Sequence, residues 1–85
     1  MAKVEIYTTA LCPFCYRAKK LLDKKGIWYT ELDVSTDPAG RAAMRERAGG
    51  RHTVPQIFID GAPVGGCEEL YALEQRGTLD QLLAA

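Results

Sequence analysis

Two kinds of hydrophobic spacing alternate in the first 34 residues, and together they narrow the folds open to this chain. Residues 4–8 follow the two-residue period of a strand. From Pro13 onward apolar side chains return at helical spacing, and Gly26 is a natural helix end. Residues 27–34 are again rich in β-branched and aromatic side chains, as in a strand. We expect Trp28 and Tyr29, and Tyr71 further along the chain, to pack on the sheet. Short joints between these segments predict a βαβ unit with two parallel strands.

A second helix and a hairpin are predicted downstream. Asp37-Pro38 combines a capping residue with proline at a first helical position, and Gly49-Gly50 would end that helix near residue 48. The apolar side of this helix should lie close to the sheet; it consists of Ala39, Ala43, Met44 and Ala48. Residues 54–59 form a third predicted strand, interrupted at its start by proline. Asp60-Gly61 is a strong signal for a tight hairpin turn.

The C-terminal third completes the predicted architecture. A short fourth strand over residues 62–64 leads to a third helix that Gly65-Gly66 opens and Gly77 closes. Thr78 then caps a final turn. The order β-α-β-α-β-β-α predicts an α/β, thioredoxin-like fold, in which helices flank a four-stranded mixed sheet. We expect residues 1–85 to form a single domain.

Composition excludes several classes of function. Eleven basic and eleven acidic residues cancel, so there is no overall charge to attract nucleic acid or a membrane surface, although a local basic patch stays open. No apolar stretch approaches the roughly 18 residues of a membrane span, and the N-terminus lacks the apolar segment of a secretory signal. Three cysteines, two of them close together, favour a reducing, cytoplasmic location over a stapled secreted domain.

Cys12-Pro13-Phe14-Cys15 places two thiols at the start of the first predicted helix. A thiol attacks a disulfide only as the thiolate. A helix N-terminus contributes up to about 2 kcal/mol, enough to lower the pKa of an ordinary thiol from about 8.5 to about 7. Cys12 is therefore the predicted nucleophile. Cys15, one turn deeper, is the predicted resolving thiol, which displaces the target sulfur from the mixed disulfide.

Two alternatives for this cysteine pair stay open at the level of the residues. Both thiols could be inert and buried, or they could supply half of a zinc site. Zinc usually requires four ligands, and Cys67 and His52 lack the spacing of a second ligand pair. Redox chemistry is the favoured interpretation, and no metal site is predicted.

Two further segments are candidate binding sites. Thr53-Val54-Pro55 is either a kinked strand start or a cis X-Pro bond beside the cysteine pair, where an extended peptide could bind the Val54 backbone. Residues 65–69 open the third predicted helix, whose first amides suit a carboxylate. Glu68 and Glu69 there are either partners of the helix dipole or ligands of an ammonium group. Cys67 is interpreted mainly as a small structural residue.

These motifs together resemble the glutaredoxin family, in particular its short bacterial type. The resemblance rests on Cys-Pro-Phe-Cys after residues 4–8, on residues 53–59, and on residues 65–70, and it extends over essentially the whole chain. It implies a cis bond before Pro55. It also implies a glutathione-dependent thiol-disulfide oxidoreductase in which Cys12 and Cys15 are catalytic and glutathione is the reductant.

The resemblance further implies how glutathione would bind. Its cysteine would pair with the Val54 backbone near Thr53 and Pro55, its γ-glutamyl carboxylate would meet the amides of the first helical residues, and its sulfur would bond to Cys12. Those helical residues are Cys67, Glu68 and Glu69. This chain departs from the family where Thr9 stands in place of a lysine that usually pairs with the glycine carboxylate; Arg51 or Arg47 would then substitute.

The implied partners are disulfide-bonded or glutathionylated proteins, with ribonucleotide reductase among them, and the implied state is a monomer. Two rival functions remain. A binding protein could carry an iron–sulfur cluster on Cys12 and glutathione, but relatives of that kind often have glycine and serine where this chain has Pro13 and Cys15. Alternatively, thioredoxin reductase rather than glutathione would reduce the chain.

Overall fold

The computed structural model describes residues 2–84, which form four strands and four helices. In chain order these are β1 (Val4–Thr8), α1 (Pro13–Lys24), β2 (Thr30–Asp33), α2 (Pro38–Arg47), β3 (Gln56–Ile59), β4 (Ala62–Gly65), α3 (Cys67–Gln75) and α4 (Thr78–Ala84). A membrane-spanning helix is absent from this part of the chain, because no helix combines the necessary length and hydrophobicity.

A mixed sheet in the order β2-β1-β3-β4 organises the molecule. β1 and β2 run parallel, whereas β1 with β3 and β3 with β4 run antiparallel. The predicted βαβ unit, the hairpin and the α/β thioredoxin-like class are thereby confirmed. Because β1 lies inside the sheet, both of its faces are covered: Ile6 is 0% exposed on one face and Tyr7 6% exposed on the other.

Each face of the sheet has its own hydrophobic core. The larger core packs α1, α3 and α4 against β1 and β3, with Leu22, Leu70 and Leu79 fully buried. The smaller core packs α2 against the opposite face through Met44 and Phe58. The helix that carries the cysteine pair is therefore held between the sheet and α3.

The helix ends lie where the predicted capping residues stand. Pro13 begins α1, and Gly26 follows its end with a φ of +70°. Asp37 caps α2, since its Oδ1 accepts a hydrogen bond of 2.9 Å from the Gly40 N–H. At the hairpin, Asp60 and Gly61 both have positive φ, as a tight turn of the predicted type requires.

The second strand is shorter than predicted. It begins at Thr30, whereas the sequence pattern placed its start at Ile27. Thr30 pairs with Glu5, so in the same register residues 27 and 28 lie ahead of Val4, where β1 begins, and have no partner strand to join. Instead the Ile27 N–H donates to Leu22 O (3.0 Å), which completes the turn that ends α1.

The third strand also starts later than predicted, at Gln56 instead of residue 54. Gln56 is the first residue of β3, and it pairs with Tyr7 of β1. Pro55 before it has no N–H for the ladder. Residues 54 and 55 therefore leave the sheet at the edge where β1 ends.

Two expectations about packing are wrong. Trp28, expected to pack on the sheet, is 79% exposed because it lies in the segment that β2 does not include. In α2, Ala39 and Ala43 were expected on the buried side but are exposed. Met44 and Ala48 alone supply the buried contacts of that helix end. Tyr29 and Tyr71 do pack, partly buried, against the larger core.

Candidate active site

Cys12 and Cys15 are joined as a disulfide, with their Cα atoms 5.2 Å apart. Cys12 is the N-cap of α1, and its Sγ accepts a hydrogen bond of 3.1 Å from the Cys15 backbone N–H. The predicted position at the helix N-terminus is thus confirmed. The two thiols differ in access to solvent: Cys15 is 1% exposed, whereas Cys12 is only partly buried. An incoming group therefore reaches Cys12 first.

The Val54–Pro55 peptide bond is cis and faces the cysteine pair. Cys12 Sγ lies 3.8 Å from Val54 O. The two segments meet because β1 and β3 are neighbours in the sheet, so the end of one and the start of the other share an edge. The Val54 carbonyl thus lies beside the reactive sulfur.

A groove of about 370 Å³ extends from this point to the start of α3. It is lined by Phe14, Thr53, Val54, Pro55, Gly66 and Glu68. The structure thereby brings together four of the predicted binding residues. Cys67 differs from them, because its side chain is 5% exposed and belongs to the larger core. Burial raises the pKa of the Cys67 thiol, as expected for a structural residue.

The first turn of α3 contains an internal carboxylate cap. Glu69 Oε1 accepts a hydrogen bond of 2.7 Å from the Gly66 N–H and lies 3.4 Å from Arg51 Nη2. Backbone hydrogen bonds, first of all the one from Gly66, lower the pKa of Glu69. A Cβ on Gly65 would come within 2.9 Å of both Arg51 Nη1 and Glu69 Cγ. Glycine at this position lets the two charged side chains meet.

Gln56 orders the loop before β3, a role that sequence analysis missed. Its side chain is 1% exposed, and its Nε2 donates to Thr53 O (2.9 Å) and Thr53 Oγ1 (3.3 Å). A buried amide pays a high desolvation cost unless such partners are present, so the contacts hold Thr53 in place. A polar residue in an otherwise apolar strand was the available signal.

A second network missed by sequence analysis joins α1 to the sheet. Thr8 Oγ1 donates to Glu31 Oε2 (2.8 Å), and Lys19 Nζ lies 2.9 Å from the same oxygen. The hydrogen bond from Lys19 is the main cause that lowers the pKa of Glu31. Thr8 ends β1 and Lys19 lies one turn beyond Cys15 in α1, so this network ties the helix that carries Cys15 to β1 and β2.

Of the two arginines proposed for the missing lysine, only Arg51 stands beside the groove. Arg47 Nη2 bonds to Glu5 Oε1 (2.9 Å), its Nη1 donates to Tyr7 Oη (2.9 Å), and its guanidinium lies 4.1 Å from the centroid of the Phe58 ring. These contacts hold the Arg47 side chain against the smaller core.

The other candidate metal ligand lies apart from the cysteines. His52 is exposed, and its carbonyl accepts a hydrogen bond from Arg41 Nη2 (3.3 Å). Among residues 2–84, no group of three or more His, Cys, Asp and Glu side chains is arranged to hold a metal ion.

A protein-family model described as Glutaredoxin matches residues 4–64. Among curated proteins, Glutaredoxin 3 from Escherichia coli is 55% identical over 83 residues, covering 98% of this chain and 99% of the relative. Glutaredoxin from Pseudomonas aeruginosa is 51% identical over 85 residues, with 100% of both chains covered.

Solved structures agree with these matches. Glutaredoxin from Brucella melitensis superposes with a TM-score of 0.84 at 56% identity, covering 95% of this chain and 87% of that one. The buckwheat glutaredoxin–glutathione complex gives a TM-score of 0.88 at 29% identity, covering 98% of this chain and 77% of that one.

Proposed function

This chain belongs to the glutaredoxin family, and on that premise we propose that Cys12 is its attacking sulfur and Cys15 its resolving sulfur. As a glutaredoxin it is a dithiol thiol-disulfide oxidoreductase that uses glutathione as reductant. The observation that carries the assignment of roles is the asymmetry of the pair. Cys12 caps the helix and is accessible, whereas Cys15 is buried one turn deeper.

In the dithiol route, the Cys12 thiolate attacks one sulfur of a protein disulfide. A Cys12–protein mixed disulfide forms, and the other protein sulfur leaves as a thiolate that takes up a proton. Cys15 then loses its proton and attacks Cys12 Sγ, which releases the second protein thiol and leaves the Cys12–Cys15 disulfide. The structure is in this oxidised state. The helix N-terminus stabilises the Cys12 thiolate, which attacks in the first step.

Two glutathione molecules complete the cycle. The first attacks Cys12 Sγ and releases Cys15 as a thiol; the second attacks the resulting Cys12–glutathione disulfide, which yields oxidised glutathione and the Cys12 thiolate. In the monothiol route, Cys12 attacks the glutathione sulfur of a glutathionylated protein. That route bypasses Cys15, because one further glutathione regenerates Cys12.

The groove beside Cys12 fits glutathione, and we place the tripeptide there. Its cysteine backbone would pair with Val54, with Thr53 and Pro55 alongside. Its γ-glutamyl carboxylate would meet the amides that begin α3, those of Cys67 and Glu68 being nearest the free helix end. The Glu69 carboxylate, held by Gly66, would face the ammonium group together with Glu68. Arg51 would pair with the glycine carboxylate in place of the usual lysine, which requires its side chain to swing away from Glu69.

The protein targets belong to the same proposal. Disulfide-bonded and glutathionylated proteins are the expected partners, with ribonucleotide reductase among the former. We also propose that residues 1–85 act as one domain, as a monomer and in the cytoplasm. The length of 85 residues supports a single domain, and the two closely spaced cysteines support a reducing, cytoplasmic location.

Serine substitution at each active-site cysteine tests the roles. Cys12→Ser removes the attacking sulfur, so we expect it to abolish both protein-disulfide reduction and deglutathionylation, measured in a glutathione-coupled assay. Cys15→Ser removes only the resolving sulfur. It should lose turnover of protein disulfides by at least about 100-fold, since that route forms the Cys12–Cys15 bond, and keep deglutathionylation within about threefold of wild type.

Circular dichroism of both variants provides the control for folding, and mass spectrometry of Cys15→Ser should detect a Cys12–glutathione adduct. Equal loss of both activities in the two variants, with folding intact, contradicts the assignment. An adduct on Cys15 in the Cys12→Ser protein would reverse it.

A further inference from the structure

A second cavity, of about 570 Å³, follows α1 away from the cysteine pair. It is lined by Tyr16, Lys19, Lys20, Asp23, Lys24 and Tyr29. None of these residues lines the groove assigned to glutathione. Tyr16 directly follows Cys15, so the cavity, here called the α1 groove, begins where the active site ends.

The α1 groove is positively charged in a chain whose formal net charge is zero. Three lysines and Asp23 line it, and Glu31 is paired with one of the lysines, which leaves one net positive charge. Lys19 is already paired with Glu31, whereas Lys20 and Lys24 are exposed. Lys20 Nζ lies 5.6 Å from the centroid of the Tyr16 ring. The two exposed ammonium groups are therefore available to an anionic partner.

Three of these side chains are aligned along the axis of α1. Tyr16, Lys20 and Lys24 are four residues apart and form one stripe along the helix. At 1.5 Å per residue the stripe is about 12 Å long, the length of about four residues of extended chain. Tyr16 is 62% exposed, so an aromatic surface stands at the end of the stripe nearest Cys12.

We propose that the α1 groove docks an acidic, extended segment flanking the reactive disulfide of a partner protein. The proposal rests on Cys12 as the attacking sulfur, because a partner bonded there presents its neighbouring residues to α1. Protein is favoured over nucleic acid because the reaction at Cys12 requires a partner that carries sulfur.

Two peptides that share one internal disulfide, flanked on both sides by four glutamates or by four lysines, would test the proposal. Each would be reduced by the enzyme with excess glutathione. Exposed charge pairs are weak individually, so two of them predict a preference for the glutamate peptide of about threefold to tenfold in kcat/KM at low salt. The preference should fall toward unity as salt screens it. The mixed disulfide of cysteine and glutathione has no flanking segment, so its rate of turnover reports on the active site alone.

The double variant Lys20→Glu/Lys24→Glu should abolish or reverse the preference and leave turnover of the small mixed disulfide unchanged. Lys3→Glu reverses the charge of an exposed residue directly before β1 and outside the α1 groove. It is the control and should retain the preference. Equal turnover of the two peptides by the wild type, or an equal loss in Lys3→Glu, overturns the docking proposal.

An oligothymidylate of matching charge serves as a competitor. Inhibition of the glutamate peptide at equal concentration would show a general polyanion site and would also overturn the proposal. Failure of the wild type to turn over the small mixed disulfide would instead overturn the proposed roles of the cysteines. The two failures are therefore distinguishable.

Discussion

Cys12 has two structural roles that a single atom fulfils. Its Sγ is one partner of the disulfide and also the acceptor that caps α1, through the Cys15 N–H. An anionic sulfur accepts such a hydrogen bond more strongly than a thiol does. Helix formation and reactivity are therefore coupled at this residue: the amide that stabilises the helix end also stabilises the attacking form.

The ionisation of Glu5 links the free energy of unfolding to pH. The hydrogen bond from Arg47 is the main cause that lowers the pKa of Glu5 from 4.5, and the Glu5 side chain is 16% exposed. A carboxyl group with a lowered pKa in the folded state stabilises that state above its unfolded pKa. The contribution is lost as the pH falls through the folded pKa.

We predict that Glu5→Gln lowers the free energy of unfolding at pH 7 by about 1–2 kcal/mol, because a charge-assisted pair with Arg47 is lost. The difference from wild type should shrink as the pH falls below 4.5 and through the lowered pKa of Glu5, where the carboxylate is protonated. Urea denaturation at pH 7 and pH 3 measures both values. Glu46→Gln, on the exposed face of α2, is the control and should change stability by less than about 0.5 kcal/mol. A difference that grows at pH 3 would contradict the prediction.

At the scale of elements, the two ends of α1 are held by different contacts. Near the cysteines, Lys19 ties the helix to Glu31 in β2. At the far end, Lys25 Nζ lies 2.7 Å from Glu74 Oε1 in α3 and 2.7 Å from Asp80 Oδ1 in α4. The hydrogen bonds with Asp80 and Glu74 raise the pKa of Lys25 from 10.5. The contribution is fully present at neutral pH and is lost as the pH rises through that raised pKa.

Replacing Lys25 by Met removes both ion pairs while keeping the length of the side chain. We predict faster amide hydrogen exchange in α4, whose seven residues have few other polar ties, and little change in α2 on the opposite face. Lys24→Met is the matched control, since Lys24 is exposed at the same helix end. Equal acceleration in α2 and α4 would indicate a global loss of stability, and would contradict a local role for Lys25.

For the molecule as a whole, the larger core depends on residues beyond the segment that the family model covers. That model ends at residue 64, whereas Leu70, Leu79 and Leu83 in α3 and α4 are buried at 0%, 0% and 6% exposure. These side chains cover the inner face of α1 and the sheet. The C-terminal helices are therefore part of the structure that positions the cysteine pair.

Leu79→Ala should lower the free energy of unfolding by about 2–5 kcal/mol, because it leaves a cavity in the larger core. Leu82→Ala, in the same helix at 38% exposure, is the control and should cost less than about 1 kcal/mol. Both are measured by urea denaturation. Similar losses in the two variants would mean that α4 acts through helix propensity and not through its buried face.

Much of this molecule could be predicted from sequence, because many of its features are local. Asp37 before Pro38 caps a helix, Asp60-Gly61 turns a hairpin, and Cys12 meets the free amides of α1, since each depends on hydrogen bonds and backbone preferences within a few residues. The cis bond at Pro55 was implied by the family resemblance; the residues alone left it as one of two alternatives. The fold class followed from the order of such elements.

The tertiary structure decided whatever depends on strand register and on partners distant in sequence. Pairing of Thr30 with Glu5 shortened β2 and left Trp28 exposed. The ion pair of Arg47 with Glu5 holds Arg47 away from the proposed glutathione groove, and the Thr8–Glu31 hydrogen bond joins β1 to β2. No local propensity encodes which of these side chains will meet. Their positions follow only when the sheet has assembled and its two faces have been covered.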